Sequence, residues 1–108
     1  MEIIFWKNDN DKQPVIDFIK RLEVKTQKKV FFVLGIIEKY GTMAGNNYFE
    51  KLKGYPLYEV RIQFNKKWHR MFCKVEGDRC YLVHGFFKKS NKTPAREIKT
   101  AVERTKQI

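Results

Sequence analysis

The sequence predicts an α+β fold: an N-terminal strand and a helical hairpin packed on an antiparallel sheet, closed by a C-terminal helix, in the order β-α-α-β-β-β-α. Three observations carry this. Apolar residues recur at helical spacing before Gly41, alternate singly from Leu57 to Phe87, and return to helical spacing after Pro94. With 108 residues, 43% of them apolar and 15% aromatic, the chain can bury a core, and a single domain over residues 1–108 is expected.

Ile3 to Trp6 reads as a short strand. Asn8 to Gln13 is a polar turn, and Pro14 suits a first helical turn, where a missing N–H costs nothing. Val15, Phe18, Ile19 and Leu22 then follow the i, i+3, i+4, i+7 spacing of one apolar stripe. Val30, Val33, Leu34 and Ile37 repeat it in a second helix ending near Tyr40 and Gly41, and Gly41 to Asn47 is expected to be a loop. Tyr58, Val60, Ile62 and Phe64 alternate with Glu59, Arg61 and Gln63 in a strand that turns at Asn65-Lys66. Trp68 to Val75 is the next strand, Gly77-Asp78 the next turn, and Cys80 to Phe87 the third strand of this meander. Thr93 and Pro94 are expected as N-cap and first residue of a closing helix, with Ile98, Ala101, Val102 and Thr105 on its buried stripe.

Two-residue loops at both turns fix a register, and a slip of one residue would exchange the faces. Arg61 then lies opposite Arg70, Val75 opposite Cys80, and Arg70 opposite Gly85. One face carries Tyr58, Val60, Ile62, Phe64, Met71, Cys73, Val75, Cys80, Leu82, His84 and Phe86, and must meet the helices. The other carries Glu59, Arg61, Gln63, Trp68, Arg70, Phe72, Lys74, Tyr81, Val83, Phe87 and Lys89. Two arginines directly opposed across strands repel, with Glu59 on the diagonal to offset them, so replacing both by Ala should leave folding intact or improve it. Such a pair beside exposed aromatics points to an anionic ligand.

Charge points the same way. The chain has 23 Lys and Arg against 12 Asp and Glu, a net charge of +11. Residues 1–50 carry 8 basic and 7 acidic side chains, and residues 51–108 carry 15 and 5. A polyanion is the expected partner of the second half, although a solvated basic surface has the same composition. Cations interleaved with aromatics on an open sheet suit single-stranded RNA, whose bases stack on Trp68 or Tyr81 while Lys and Arg hold phosphates. Lys88-Lys89-Ser90-Asn91-Lys92 adds positive charge where the last strand leaves the sheet.

The run Lys51-Leu52-Lys53-Gly54, then Leu57-Tyr58-Glu59-Val60-Arg61, then His69-Arg70-Met71-Phe72, resembles the RelE/HigB toxins of type II toxin–antitoxin systems. Leu82 to Pro94 resembles a block of their HigB-like, phage-associated branch. The likeness covers roughly residues 50–102, and four short blocks in order are more specific than any one of them. It implies a RelE-like fold and a ribosome-dependent, metal-independent mRNA endoribonuclease without cofactor, in which the 2′-OH attacks the adjacent phosphate. It also implies a cognate antitoxin, of helix-turn-helix type with an acidic segment, and the ribosome and mRNA as further partners. By that resemblance Arg70 and Arg61 stabilise transition-state charge, Lys89 binds phosphate or serves as the acid, and Glu59 is the candidate base. Lys51, Lys53, Trp68, Lys74, Tyr81, Lys88 and Lys92 are the candidate RNA-binding residues. The rival readings are a ParE-like toxin that inhibits DNA gyrase without cutting, and a basic module that only grips nucleic acid.

Other chemistries find no pattern. P-loop, G-x-S-x-G, zinc-ligand and dinucleotide signatures are missing, and Cys73 and Cys80 are expected as buried thiols. His84 has the intrinsic pKa of an acid–base group, but the register aims it at the core beside Met71, and His69 falls on the same face near the strand end. The N-terminal residues show no leader pattern and no run is long enough to span a bilayer, so a cytoplasmic protein without membrane contact is expected.

Overall fold

The computed structural model describes residues 1–90 and 92–108; Asn91, part of the basic tract singled out above, lies outside the described residues. The chain forms β1 (Glu2–Phe5), α1 (Pro14–Lys20), α2 (Val24–Tyr40), a 3-10 turn (Gly41–Ala44), β2 (Phe49–Lys51), β3 (Tyr58–Phe64), β4 (Lys67–Glu76), β5 (Arg79–Lys88) and α3 (Ala95–Thr105). The strands make one sheet in the order β1-β5-β4-β3-β2. β1 runs parallel to β5 and the other neighbours are antiparallel, so the sheet is mixed rather than an antiparallel meander. β2 is additional to the expected elements, because three residues are too few to display a period.

Local chemistry explains most boundaries. α1 starts at Pro14, as its missing N–H favours. α2 ends where Gly41 takes a φ of 58°, a conformation costly for residues with a Cβ. α3 begins one residue later than expected: Pro94 keeps an extended ψ of 136° and occupies the cap position, with no side-chain cap bond.

The turn at Asn65-Lys66 has φ of 55° and 63°, the doubly left-handed backbone of a type I′ hairpin. Its two-residue length sets Phe64 opposite Lys67 and Arg61 opposite Arg70, as the sequence predicts. Between β4 and β5 the expected register holds from Val75 with Cys80 as far as Cys73 with Leu82, then breaks. Cys73 pairs with Leu82 but Phe72 pairs with His84, so Val83 is an extra residue in a β-bulge. Each later pair moves by one: Arg70 lies opposite Phe86, and Gly85 opposite Met71. His84 and Phe86 thereby leave the face expected for them, and Phe87 turns to the face of His69, their rings 5.3 Å apart.

Both faces of the sheet are used. Val60, Ile62, Met71, Cys73, Cys80 and Leu82 meet Val15, Phe18 and Ile19 of α1 and Val30, Val33, Leu34 and Ile37 of α2. On the other side Phe72, Val83 and Phe86 pack with Trp6, Leu57 and Ala101, and Ile98 and Val102 of α3 close over them. The outer face expected to be open is therefore half covered, because α3 needs an apolar floor for its own stripe. Among the described residues no helix is long and apolar enough to cross a membrane.

At Gly85 the sheet lies tight against α1. A Cβ there would lie 2.5 Å from Cδ2 and 2.8 Å from Cγ of the buried Phe18 ring. Gly85→Ala should lower the unfolding free energy by about 1–3 kcal/mol, since overpacking forces the ring or strand to shift. Gly35, on the exposed side of α2, is the control, because a Cβ there would meet nothing within 4 Å. Gly35→Ala should raise the unfolding free energy by up to about 1 kcal/mol. Urea titration of both variants decides the matter.

Candidate nucleic-acid interface

The outer face carries a ladder of three rungs across β3, β4 and β5, open beside the β3–β4 turn and covered by α3 at its far end. Gln63, Trp68 and Lys88 form the first, Arg61, Arg70 and Phe86 the second, and Glu59, Phe72 and His84 the third. The two arginines thus share a face, held side by side by the type I′ turn.

Glu59 explains how they coexist. It is 3% exposed, and its Oε1 contacts both Arg61 Nε, at 3.4 Å, and Arg70 Nε. Arg61 also pairs with Glu50 through Nη2 and donates through Nη1 to the Asn46 carbonyl at 2.8 Å. Arg70 is 6% exposed, with its Cζ 4.9 Å from the centroid of the Trp68 ring. Burial pulls the Arg70 guanidinium down from its ordinary value, and Glu59 opposes the shift.

Two cavities flank this ladder and share Trp68 and Arg70 as a common wall. One, of about 290 Å³, is lined by Trp68, Arg70, Lys88, Lys89 and Ser90. The other, of about 460 Å³, adds Lys29, Asn47, Tyr48, Arg61 and Gln63. Arg61, Arg70, Trp68, Lys88 and Lys89 are therefore brought together, with Glu59 beneath them. Lys29, Asn47, Tyr48 and Gln63 are additions to the predicted site residues. The sequence register puts Gln63 on this face without assigning it a role, whereas Lys29 and Tyr48 come from a helix and a loop whose position no local pattern reveals.

Other candidates fall elsewhere. Lys51 shares a rung with Tyr58, on the opposite parity from Glu59, and its Nζ donates to the Tyr55 carbonyl at 2.6 Å. Lys53 and Lys92 are exposed and line neither cavity. Lys74 and Tyr81 pair with each other four residues along β4 from Arg70, beyond the α3-covered Phe72, and Lys74 bonds Glu76 at 3.2 Å.

Residues 17–106 match the family of phage-derived Gp49-like proteins (DUF891). The chain belongs to that family. It is a RelE/toxin-like family, in keeping with the α+β fold and with the resemblance read from the sequence. A search of curated proteins found no match.

In this Gp49-like chain His69 lies on the face expected for it, whereas the placement of His84 is corrected. The Val83 bulge turns His84 away from Met71 and toward α3. There its Nδ1 accepts from Arg104 at 3.2 Å, leaving Nε2 to donate to Glu97 at 3.4 Å, a tautomer assigned from these partners. Burial lowers the His84 pKa, Glu97 opposes it and Arg104 adds to it. His69 is 6% exposed between Phe18 and Phe87, and its Nδ1 has no hydrogen-bond partner among the described residues. Burial first, then Lys67, lowers its pKa. Both cysteines are buried as expected, and burial raises the Cys73 thiol well above its ordinary value, with Cys80 adding to it, so it is no nucleophile. Among the described residues no three His, Cys, Asp or Glu side chains converge as a metal-ligating group.

Removing the opposed arginines is not the relief that cross-strand repulsion alone suggests, because Arg70 neutralises a buried carboxylate. Arg70→Ala should cost about 3 kcal/mol in urea unfolding, and Glu59→Met combined with Arg70→Met should recover most of it, since a buried pair is replaceable by apolar bulk but not divisible. A double-mutant cycle with additive losses would contradict the pairing.

Acid should weaken the fold through the histidines. Both titrate lower in the folded chain than unfolded, so below about pH 6.5 the unfolded chain binds protons first and stability falls. The melting temperature should drop between about pH 7.5 and 5.5, and His69→Leu should make that drop smaller.

Proposed function

We propose that this protein is the toxin of a type II toxin–antitoxin pair and cleaves mRNA on the ribosome, as a HigB-like member of its family. The observation that carries the reading is the pair Arg61 and Arg70, locked side by side by Glu59 at the meeting of two cavities. Fixed guanidinium groups beside a groove are what a phosphodiester needs where charge develops during attack. The Leu82–Pro94 block resembling the HigB-like branch, a family match over most of the chain and the net charge of +11 support the same reading.

On this reading the 2′-oxygen of one nucleotide attacks the adjacent phosphorus and the P–O5′ bond breaks. The products are a 2′,3′-cyclic phosphate and a free 5′-hydroxyl. Arg61 and Arg70 stabilise the negative charge on the non-bridging oxygens. Lys89, in the cavity next to Arg70, gives its proton to the departing 5′-oxygen. Glu59, the base expected from the sequence, is enclosed between the arginines and serves to position them, so solvent in the open groove takes the 2′-hydroxyl proton. An antitoxin with an acidic segment silences the protein by covering the groove, in the cytoplasm where the ribosomes are.

Purified protein is incubated with translating ribosomes and a defined mRNA. The wild type should cut only when ribosomes are present. Arg61→Ala and Arg70→Lys should each slow cutting by about 10²-fold at a temperature where thermal melts show them folded, the Lys variant because it keeps the charge and loses the fork. No cutting by the wild type, together with inhibited supercoiling by DNA gyrase, would replace this reading with the ParE-like one.

A further inference from the structure

The two cavities beside the arginines differ in chemistry. That of Lys88, Lys89 and Ser90 offers two ammonium groups and a hydroxyl. That of Asn47, Tyr48 and Gln63 offers two carboxamides and a phenol. Lys29, which also borders it, sets its Nζ 5.1 Å from the centroid of the Phe32 ring, drawn toward α2. Ammonium groups suit phosphates, whereas carboxamides, each with a donor and an acceptor side by side, suit the edge of a base.

Trp68 supplies the platform between them. It is 41% exposed while Arg70 lies against its ring, so it remains accessible to a ligand. Gln63 stands directly across β3 from Trp68, and Lys88 directly across β5. The rung that carries them is two residues, about 7 Å, from the rung of Arg61 and Arg70. A base, the phosphate next to it and a second phosphate therefore each have an adjoining place.

We propose that the cavity of Asn47, Tyr48 and Gln63 is a nucleobase pocket, in which a base stacked on Trp68 presents its edge to the Gln63 and Asn47 carboxamides, making Gln63 the residue that sets base preference. The proposal deepens the ribonuclease reading and rests on it for the RNA substrate. Arg61 and Arg70 hold the phosphate joining this nucleotide to the next, and Lys88 and Lys89 hold the phosphate beyond. Phosphate contacts carry affinity in this arrangement, and the carboxamide pocket carries selectivity. Arg61 borders the pocket with its charge already paired to Glu50, which leaves the neutral amides as the pocket's reading groups.

The test is binding without ribosomes. Fluorescein-labelled hexanucleotides of rA, rU and rC, and one with a single abasic position, are titrated against the whole protein by fluorescence anisotropy at several salt concentrations. The wild type should favour one base over the others by about ten-fold and bind the abasic strand about ten-fold more weakly. Gln63→Ala and Asn47→Ala, confirmed folded by thermal melts, should each shrink the base preference to about two-fold or less without changing the salt slope. Lys89→Ala should instead weaken all strands alike and reduce the salt slope by about one. Equal binding of all bases by the wild type, or a Gln63→Ala that weakens every strand alike, would overturn the pocket. Selective binding that depends on Gln63 without ribosomal cutting would uphold the pocket and remove only the ribonuclease reading. Cutting with unselective binding would do the reverse.

Discussion

One buried carboxylate organises this face of the molecule. Glu59 lies in the third rung of the ladder, opposite Phe72, and both guanidinium groups converge on the same oxygen. Without it, Arg70 would be a cation held away from water with only the Trp68 ring and the His69 carbonyl, 3.3 Å from its Nη1, to offset its charge among the described residues. With it, two arginines that a hairpin places face to face become a fixed pair. The repulsion that cross-strand geometry imposes and the desolvation that burial of Arg70 imposes are met by the same group. The arrangement is rigid for that reason: Arg70 has little freedom to leave, and Arg61 is further tied by Glu50 and the Asn46 carbonyl.

The sequence conveys the part of this that depends on local backbone chemistry. Asn65-Lys66 admits left-handed backbone at two successive positions, which gives a two-residue turn and hence the Arg61–Arg70 rung. The helical hairpin is equally legible, since Val15, Phe18 and Ile19 and then Val30, Val33, Leu34 and Ile37 mark one continuous apolar floor. What escapes is whatever depends on a distant element. The bulge at Val83 follows from two faces competing for one strand: Leu82 belongs to the α1–α2 core and Val83 to the α3 core, and neighbours in a regular strand cannot serve α3 with both Val83 and Phe86. Gly85, inside an apolar strand, is the available sign, because glycine in a strand marks a bulge or a close approach, and here it stands two residues past one and against Phe18.

The covered half of the outer face is also open to inference from the sequence. Phe72 and Val83 fall on a side assigned to solvent, and the stripe of Ile98, Ala101 and Val102 lacks a partner in any two-layer arrangement. Setting one against the other solves both difficulties and narrows the exposed ladder to the rungs beside the turn. Lys74 and Tyr81 then drop out of the site by distance, and His84 enters a network with Glu97 and Arg104 that anchors α3. Lys29 and Tyr48 are beyond reach on any local argument, because only the assembled fold sets α2 and the segment before β2 at the rim of the arginine rung.

The arginine pair does not supply the net attraction for a polyanion. Glu50 and Glu59 offset Arg61 and Arg70 one for one, so the interior of the ladder is formally neutral. What it supplies is direction, since donors whose partners are fixed on one side present their remaining N–H groups on the other. The excess charge that draws an anion toward the groove comes from its borders, Lys88 and Lys89 on one side and Lys29 on the other. Attraction over distance is thus separated from recognition at contact. Salt screens these border lysines more strongly than the buried Arg70–Glu59 pair. On the proposed function, encounter with the ligand is accordingly the salt-sensitive step, whereas the geometry offered to a phosphate stays constant as ionic strength changes.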